Sequence, residues 1–184
     1  MEAAFQEIAS VGFEGLRVRT VAQAAGIHHA TLLHHFPSKE SLVQAVLDTL
    51  EAQFRPQGDV REMQADPLTQ LREEFDDGLR RLAENPETFA VLLEITLRAR
   101  HHAGVKEMIG RMYHGWQAHI TQIFALGCRR GVFRSDLDPN LAAGAVMLSL
   151  KGSALELLSG CSLERLGAML GVVSQQVIAW SLPG

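Results

Sequence analysis

Residues 18–42 read VRTVAQAAGIHHATLLHHFPSKESL and carry the densest structural signal in this chain of 184 residues. Small apolar residues at helical spacing give a first short helix one packing face, and Gly26 permits a tight turn after it. Leu32 and Phe36 then pack a second short helix across the first. Two short helices joined at a wide angle by a glycine turn form a helix-turn-helix, whose second helix fits the major groove, about 12 Å wide.

The rest of the chain is also predicted to be helical. Apolar residues recur at three- and four-residue spacing, and the alternation typical of strands is scarce. The predicted fold class is all-α, with a three-helix head that contains the helix-turn-helix and a larger helical body. The nine predicted helices lie near residues 1–11, 18–25, 28–35, 38–54, 67–84, 86–99, 104–129, 139–159 and 162–181.

Capping residues and glycines predict where several of these helices begin and end. Three helix starts place Asp or Asn directly before a proline, at Asp66-Pro67, Asn85-Pro86 and Asp138-Pro139. Two further predicted caps are Ser38 and Ser162. The glycines predicted to end helices in the left-handed conformation are Gly12, Gly26, Gly131 and Gly160.

A polar segment from Arg55 to Asp66, containing Pro56 and Gly58, predicts a linker between head and body. It gives a predicted division into a helix-turn-helix domain at residues 1–50 and a second domain at residues 51–184.

Charge and composition narrow the function classes. Seventeen Lys and Arg against 21 Asp and Glu give a net charge of −4, which excludes a protein that coats nucleic acid by bulk charge. The longest apolar stretch, Leu141–Leu150, is about half of the roughly 20 residues that span a bilayer, and no signal-peptide pattern precedes it. Together with the two cysteines, expected to be free thiols, this predicts a cytoplasmic protein with no membrane partner.

The helix-turn-helix resembles the tetracycline-repressor (TetR) family of bacterial transcriptional regulators. The resemblance covers AAFQEIASVGFEG, VRTVAQAAGI and TLLHHFPSKESL in register, and a looser one covers GVFRSDLDPNLAA at residues 131–143 with Lys151-Gly152. It implies a homodimer whose heads bind a palindromic operator and whose body binds a small-molecule inducer. It also implies a first helix longer at its amino end than the one that starts at Met1.

Carried over by position, the resemblance assigns DNA-contacting roles along the head. Arg19 would contact a base or a phosphate, and His35 and Lys39 would bind phosphate. Tyrosine is usual in the family at position 33, where this chain has leucine. The full set of predicted DNA-binding residues is Arg17, Arg19, Thr20, His28, His29, Ala30, Thr31, Leu33, His34, His35 and Lys39.

The head is net acidic, with three cations and five anions in residues 1–50. Four histidines on the second helix of the motif offer two interpretations: they gain positive charge beside phosphate, or they act as neutral hydrogen-bonding groups. Adjacent histidines point in different directions around a helix, so no metal site is predicted, and no cofactor is expected either.

The body has an apolar stripe along the helix at 104–129, and neighbouring helices carry apolar residues in the matching helical phase. Core packing is one interpretation and a ligand pocket is the other, because Met and Trp adapt to ligands. The candidate pocket residues are Phe75, Leu79, Phe89, Leu93, Leu97, Met108, Met112 and Trp116.

A basic run, Arg98 to His102, ends one of these helices. It either complements the helix dipole or forms a mouth that selects an anionic ligand.

The last two helices are too apolar to be solvated singly, and they predict a four-helix dimer interface, as the resemblance also implies. A purely intramolecular hairpin is the alternative. The predicted interface residues are Leu141, Leu148, Gly152, Leu155, Leu166, Leu170, Val173 and Val177.

Two functions remain in competition. The first is a ligand-responsive regulator, acting as a repressor that leaves its operator when an inducer binds. The second is a helical small-molecule-binding protein whose DNA binding is lost or altered, which the acidic head suggests. An enzyme is not predicted, because the chain contains no GxSxG, HExxH or P-loop motif.

Overall fold

The computed structural model describes residues 1–54 and 66–184, and within them the fold is all-α, as predicted. All nine predicted helices are present in this part of the chain. They are α1 (Glu2–Gly15), α2 (Val18–Ala24), α3 (His29–His35), α4 (Lys39–Phe54), α5 (Pro67–Glu84), α6 (Pro86–Arg98), α7 (Ala103–Arg129), α8 (Pro139–Leu158) and α9 (Leu163–Ser181). The predicted linker at Arg55–Asp66 lies outside the described residues, apart from Asp66.

Four of the helices begin at side-chain caps that were predicted from the sequence. Backbone N–H groups of the first turns donate to Asp66 (3.1 Å), Ser38 (3.0 Å), Asp138 (2.9 Å) and Ser162 (3.2 Å). Each cap satisfies a donor that has no partner inside the helix. The proline-marked start of α6 at Pro86 is also confirmed.

All four glycines predicted to be left-handed have positive φ, and at Gly12 the helical geometry breaks off before a further turn. Its φ of 70° and ψ of 176° bend α1, and a further turn continues to Gly15. The predicted helix end near residue 11 therefore coincides with a break in helical geometry at Gly12, after which the chain resumes its helical course.

The described residues form two compact units, of which the first comprises residues 1–54 and 87–113. Its buried side chains make one cluster that includes Ile8, Phe13 and Leu47 from the head together with Ile95 and Val105. The three-helix head therefore shares its core with α6 and the start of α7. The functional division at residue 50 stays a prediction, while the packing of the first unit crosses it.

The second unit comprises residues 66–86 and 114–184, where α5 packs on α8 and α9. The loop before α8 is fixed by Arg134, whose backbone N–H donates to Ser181 O (2.9 Å) and whose guanidinium lies 5.0 Å from the Trp180 ring centre. By length and composition α8 is long and apolar enough to cross a membrane. Part of that apolar surface is core, since Val146, for example, is fully buried.

The bend in α1 is held by a carboxylate from α6. Beyond Gly12, the Phe13 N–H donates to Glu94 Oε1 (3.3 Å), and Arg98 Nε donates to the same oxygen (3.3 Å). A Cβ at Gly12 would lie 2.8 Å from this oxygen, so glycine also provides the room. Glu94 thus works as a helix cap supplied from another helix.

The basic run at the end of α6 belongs to the same cluster. Arg98 Nη1 lies 3.7 Å from Glu14 Oε1, and His102 Nε2 lies 3.6 Å from that atom. The His102 ring also lies 5.3 Å from the Phe13 ring. Arg98 and His102 therefore face the end of α1, a role that neither interpretation of the basic run anticipated.

We expect Glu94→Ala to lower the free energy of unfolding by about 1 to 2 kcal/mol, because the Phe13 N–H and the Arg98 guanidinium lose a shared acceptor. Glu94→Gln keeps an acceptor oxygen, so it should lose less than half as much. Urea unfolding followed by circular dichroism measures both.

Glu107→Ala serves as the control, since this carboxylate is 75% exposed, and it should change stability by less than about 0.5 kcal/mol. Equal losses for Glu94→Ala and Glu94→Gln would show that charge, and not the hydrogen bond to Phe13, makes the contribution.

Candidate nucleic-acid interface

The turn between α2 and α3 is set by backbone hydrogen bonds around Gly26. The Ile27 N–H donates to Ala22 O (3.0 Å), and the Gly26 N–H donates to Gln23 O (3.1 Å). This pair of bonds is the Schellman motif, and it requires the positive φ of 65° that Gly26 adopts. The angle at which α3 leaves α2 therefore depends on one glycine.

One side chain anchors α3, and the others face outward. Leu32 is buried, whereas the remaining six residues of the helix are exposed. At the amino end, His28 Nδ1 accepts a hydrogen bond from the Ala30 N–H (3.3 Å). His28 therefore caps the helix on which the other three histidines lie, a role that the sequence did not reveal.

The predicted DNA-binding residues lie in this exposed region, with one exception. Those found exposed are Arg17, Arg19, Thr20, His28, His29, Ala30, Thr31, Leu33, His34 and His35. Residues 15–39 contain no Asp or Glu, so the acidic residues of the head lie on α1 and α4 instead. The exposed surface of the motif is therefore locally cationic, although the head as a whole is net acidic.

Lys39 is the exception, because its ammonium group already has partners in the first unit. Lys39 Nζ donates to Glu14 O (3.1 Å) and lies 4.5 Å from the centre of the Phe13 ring. The side chain is half-buried, and it links the start of α4 to the end of α1. A contact with phosphate stays a prediction for Lys39, and it would compete with these contacts.

The candidate pocket residues differ widely in burial. Phe75 and Met112 are buried, whereas Leu97 on α6 is 69% exposed, and its role in a pocket stays a prediction. The half-buried members are Leu79, Phe89, Leu93, Met108 and Trp116. They divide between the two units, with Phe75, Leu79 and Trp116 in the second unit and the others in the first.

A polar group in the second unit was not predicted from the sequence. Glu74 on α5 contacts His119 Nε2 through Oε1 (2.9 Å) and accepts a hydrogen bond from Trp116 Nε1 through Oε2 (3.4 Å). The Glu74 side chain is 18% exposed. The available signal was the position of Glu74 beside Phe75 and one turn after Leu71, at the edge of the apolar stripe of α5.

The first unit also contains a mostly buried phenol. Tyr113 Oη lies 3.2 Å from the Thr96 hydroxyl. Burial raises the pKa of Tyr113 above its ordinary value, and the hydrogen bond with Thr96 opposes this only in part. Tyr113 therefore stays a neutral hydroxyl, which can act as donor or acceptor.

The predicted dimer residues separate into two groups. Leu141, Leu148 and Leu155 on α8 are 66%, 71% and 57% exposed, and Gly152 is exposed on the same side. Leu166 and Leu170 on α9 are instead buried within the chain, and a role for them in an interface stays a prediction. Val173 and Val177 are half-buried, while Met169 and Val172, which were not predicted, are exposed.

Two family models match the chain. Residues 1–46 match the model for bacterial regulatory proteins of the tetR family. Residues 67–174 match the model for the C-terminal part of BetI-type transcriptional repressors.

Individual proteins are similar over most of the chain. The HTH-type transcriptional regulatory protein RaaS of Mycobacterium tuberculosis is 27% identical over 154 residues, which cover 84% of this chain and 67% of that protein. FadR of Bacillus subtilis, solved with stearoyl-CoA, has a TM-score of 0.80 at 18% identity, covering 97% of this chain and 96% of its own. A regulator from Saccharomonospora viridis, solved with choline, has a TM-score of 0.78 at 23% identity, covering 95% and 92%. The two structural likenesses concern the fold.

Gly26→Ala should lower the free energy of unfolding by about 1 to 2 kcal/mol, because an L side chain is strained in the left-handed conformation. Apart from its chain neighbours, no atom of the described residues lies within 4 Å of the added Cβ, so the cost is conformational and not steric. Thermal or urea unfolding gives the value.

Gly110→Ala is the matched control: Gly110 is exposed inside α7, and outside its own helix backbone its Cβ would also meet no atom of the described residues within 4 Å. This substitution should raise stability by about 0.5 to 1 kcal/mol. A change of the same sign in both variants would contradict the role given to Gly26.

Proposed function

We propose that this chain, which belongs to the TetR family of bacterial transcriptional regulators, represses transcription by binding a palindromic operator as a homodimer. A small molecule that binds the body releases the operator. The observation that carries the proposal is α3, where Leu32 is buried and the other side chains are exposed beside a segment without carboxylates. The competing function, a binding protein that has lost its DNA contacts, gains no support from such a surface.

On DNA, α3 enters the major groove and its side chains divide by chemistry. His29 and His34 present ring nitrogens to base edges, and Thr31 presents a hydroxyl. Arg17 and Arg19, at the start of α2, bind phosphate, which positions α3 without reading sequence. Half-sites then lie one helical turn or a multiple apart, because each head of the dimer meets the same face of the duplex.

The dimer forms through the exposed leucine stripe of α8 and the exposed part of α9. Leu141, Leu148 and Leu155 repeat at intervals of seven residues, so they lie on one side of the helix. Gly152 on the same side leaves room for close approach of another helix. A stripe this exposed is unfavourable in water and favourable when a second copy covers it.

The small molecule acts by binding one arrangement of the two heads better than another. The structural neighbours were solved with stearoyl-CoA and with choline, so this fold accommodates ligands of different chemistry. In this chain, Trp116 with Glu74 and His119 offers an aromatic ring beside polar atoms, which suits a ligand with both apolar and polar parts. The protein acts in the cytoplasm, as a regulator and not as an enzyme, without a membrane partner or a cofactor.

The DNA-binding proposal is tested with a duplex selected from a random-sequence library and binding measured by fluorescence anisotropy at several salt concentrations. Arg19→Ala should weaken binding and reduce the slope of log Kd against log salt by about one, because one phosphate contact is lost.

Arg129→Ala removes the same charge from an exposed position at the end of α7, and it should change neither quantity. Equal effects of the two substitutions would show that bulk charge alone drives the association.

The dimer proposal is tested by Leu148→Glu in sedimentation velocity at micromolar concentration. A carboxylate in the centre of the α8 stripe would be buried without a partner, so the variant should sediment as a monomer with unchanged helical circular dichroism.

Leu97→Glu is the matched control, because Leu97 is exposed to the same degree on α6 and lies outside the proposed interface. A wild-type protein that sediments as a monomer would contradict the proposal outright.

A further inference from the structure

Two apolar side chains interrupt the polar surface of α3. Ala30 and Leu33 are exposed, and Leu33 retains 37% of its accessible surface. The other exposed residues of the helix are His29, Thr31, His34 and His35, each of which carries a hydrogen-bonding group. The recognition helix therefore presents a small apolar patch, Ala30 with Leu33, among polar neighbours.

Helix geometry places the members of this patch side by side. Residues three apart lie on the same face, so the Leu33 side chain is next to Ala30. Leu32 is the buried anchor, so it sets which way the other side chains of α3 point. Ala30 lies almost opposite to Leu32 around the helix axis, and Leu33 lies between the two. The patch consequently belongs to the surface that enters the groove when α3 binds DNA.

The major groove offers one apolar group. Guanine, cytosine and adenine present donors and acceptors there, whereas thymine adds its C5 methyl group. A leucine placed against a polar base edge would remove water from donors and acceptors without replacing their hydrogen bonds. Against a thymine methyl group the same side chain displaces no hydrogen-bonded water from the base, and it buries apolar surface.

We propose that Leu33, supported by Ala30, determines operator specificity by packing on the C5 methyl group of a thymine in each half-site. This inference rests on the proposed function and goes beyond it, because it names the base and the atom that are recognised. Leu33 contributes no hydrogen bond, so its contribution is discrimination between thymine and bases without a methyl group.

The experiment uses the full chain and the selected duplex, in which each thymine is replaced in turn by deoxyuridine. This replacement removes the methyl group and leaves every hydrogen-bonding group in place. For the wild-type protein, one position in each half-site should weaken binding about threefold to fivefold, the effect of one buried methyl-sized group. Leu33→Ala should bind the thymine duplex more weakly and no longer distinguish it from the deoxyuridine duplex.

Two controls separate the methyl contact from general effects. Val11→Ala truncates an exposed apolar side chain on α1 and should keep the full preference for thymine. His35→Gln alters the carboxyl end of α3 and should also keep it, even where overall affinity falls.

The inference is overturned if the wild-type protein binds the thymine and deoxyuridine duplexes equally at every position, or if Leu33→Ala retains the preference. Selection that enriches no duplex would overturn the proposed function itself, and this inference with it. Because an enriched duplex with no methyl dependence overturns only the inference, the two failures are distinguishable.

Discussion

The burial of Leu32 is the contact on which the recognition surface depends. A helix of seven residues has room for little more than one anchoring side chain, and Leu32 is the one that α3 uses. The left-handed turn at Gly26 fixes the direction of the helix, and Leu32 fixes its rotation about its own axis. With both settled, the direction of every other α3 side chain follows from helix geometry.

The head gains rigidity from residues far away in sequence. Phe13, Glu94 and Arg98 connect the bend of α1 to α6, and Lys39 extends the connection to α4. Buried residues of α2, α3 and α6 belong to one packed cluster, and packed interiors transmit strain. The ion pairs are partly exposed, so their contribution is to orientation more than to stability.

Local chemistry made much of the fold predictable, since caps at Asp66 and Asp138 and the turn at Gly26 depend only on neighbouring residues. The helix-turn-helix and its exposed residues followed from the same patterns and from the resemblance. What the sequence did not reveal depended on distant partners: Lys39 meets Glu14, Leu97 faces solvent, and Leu166 and Leu170 are buried in their own chain. Helical periodicity shows that a helix is apolar on one face, and it does not show which surface covers that face. Glu74 was missed for a related reason, because its partner His119 lies 45 residues away.

The absence of carboxylates between residues 15 and 39 has a consequence for how the protein meets DNA. Residues 15–39 carry three cations and no carboxylate, whereas the rest of the chain carries 14 cations and 21 anions, so a duplex attracts this segment and repels the net charge of the remainder. Such a distribution exerts a torque during diffusion and turns the approaching molecule so that the helix-turn-helix arrives first. Because the attraction is to phosphate, this orienting effect is the same on any sequence and weakens as the salt concentration rises.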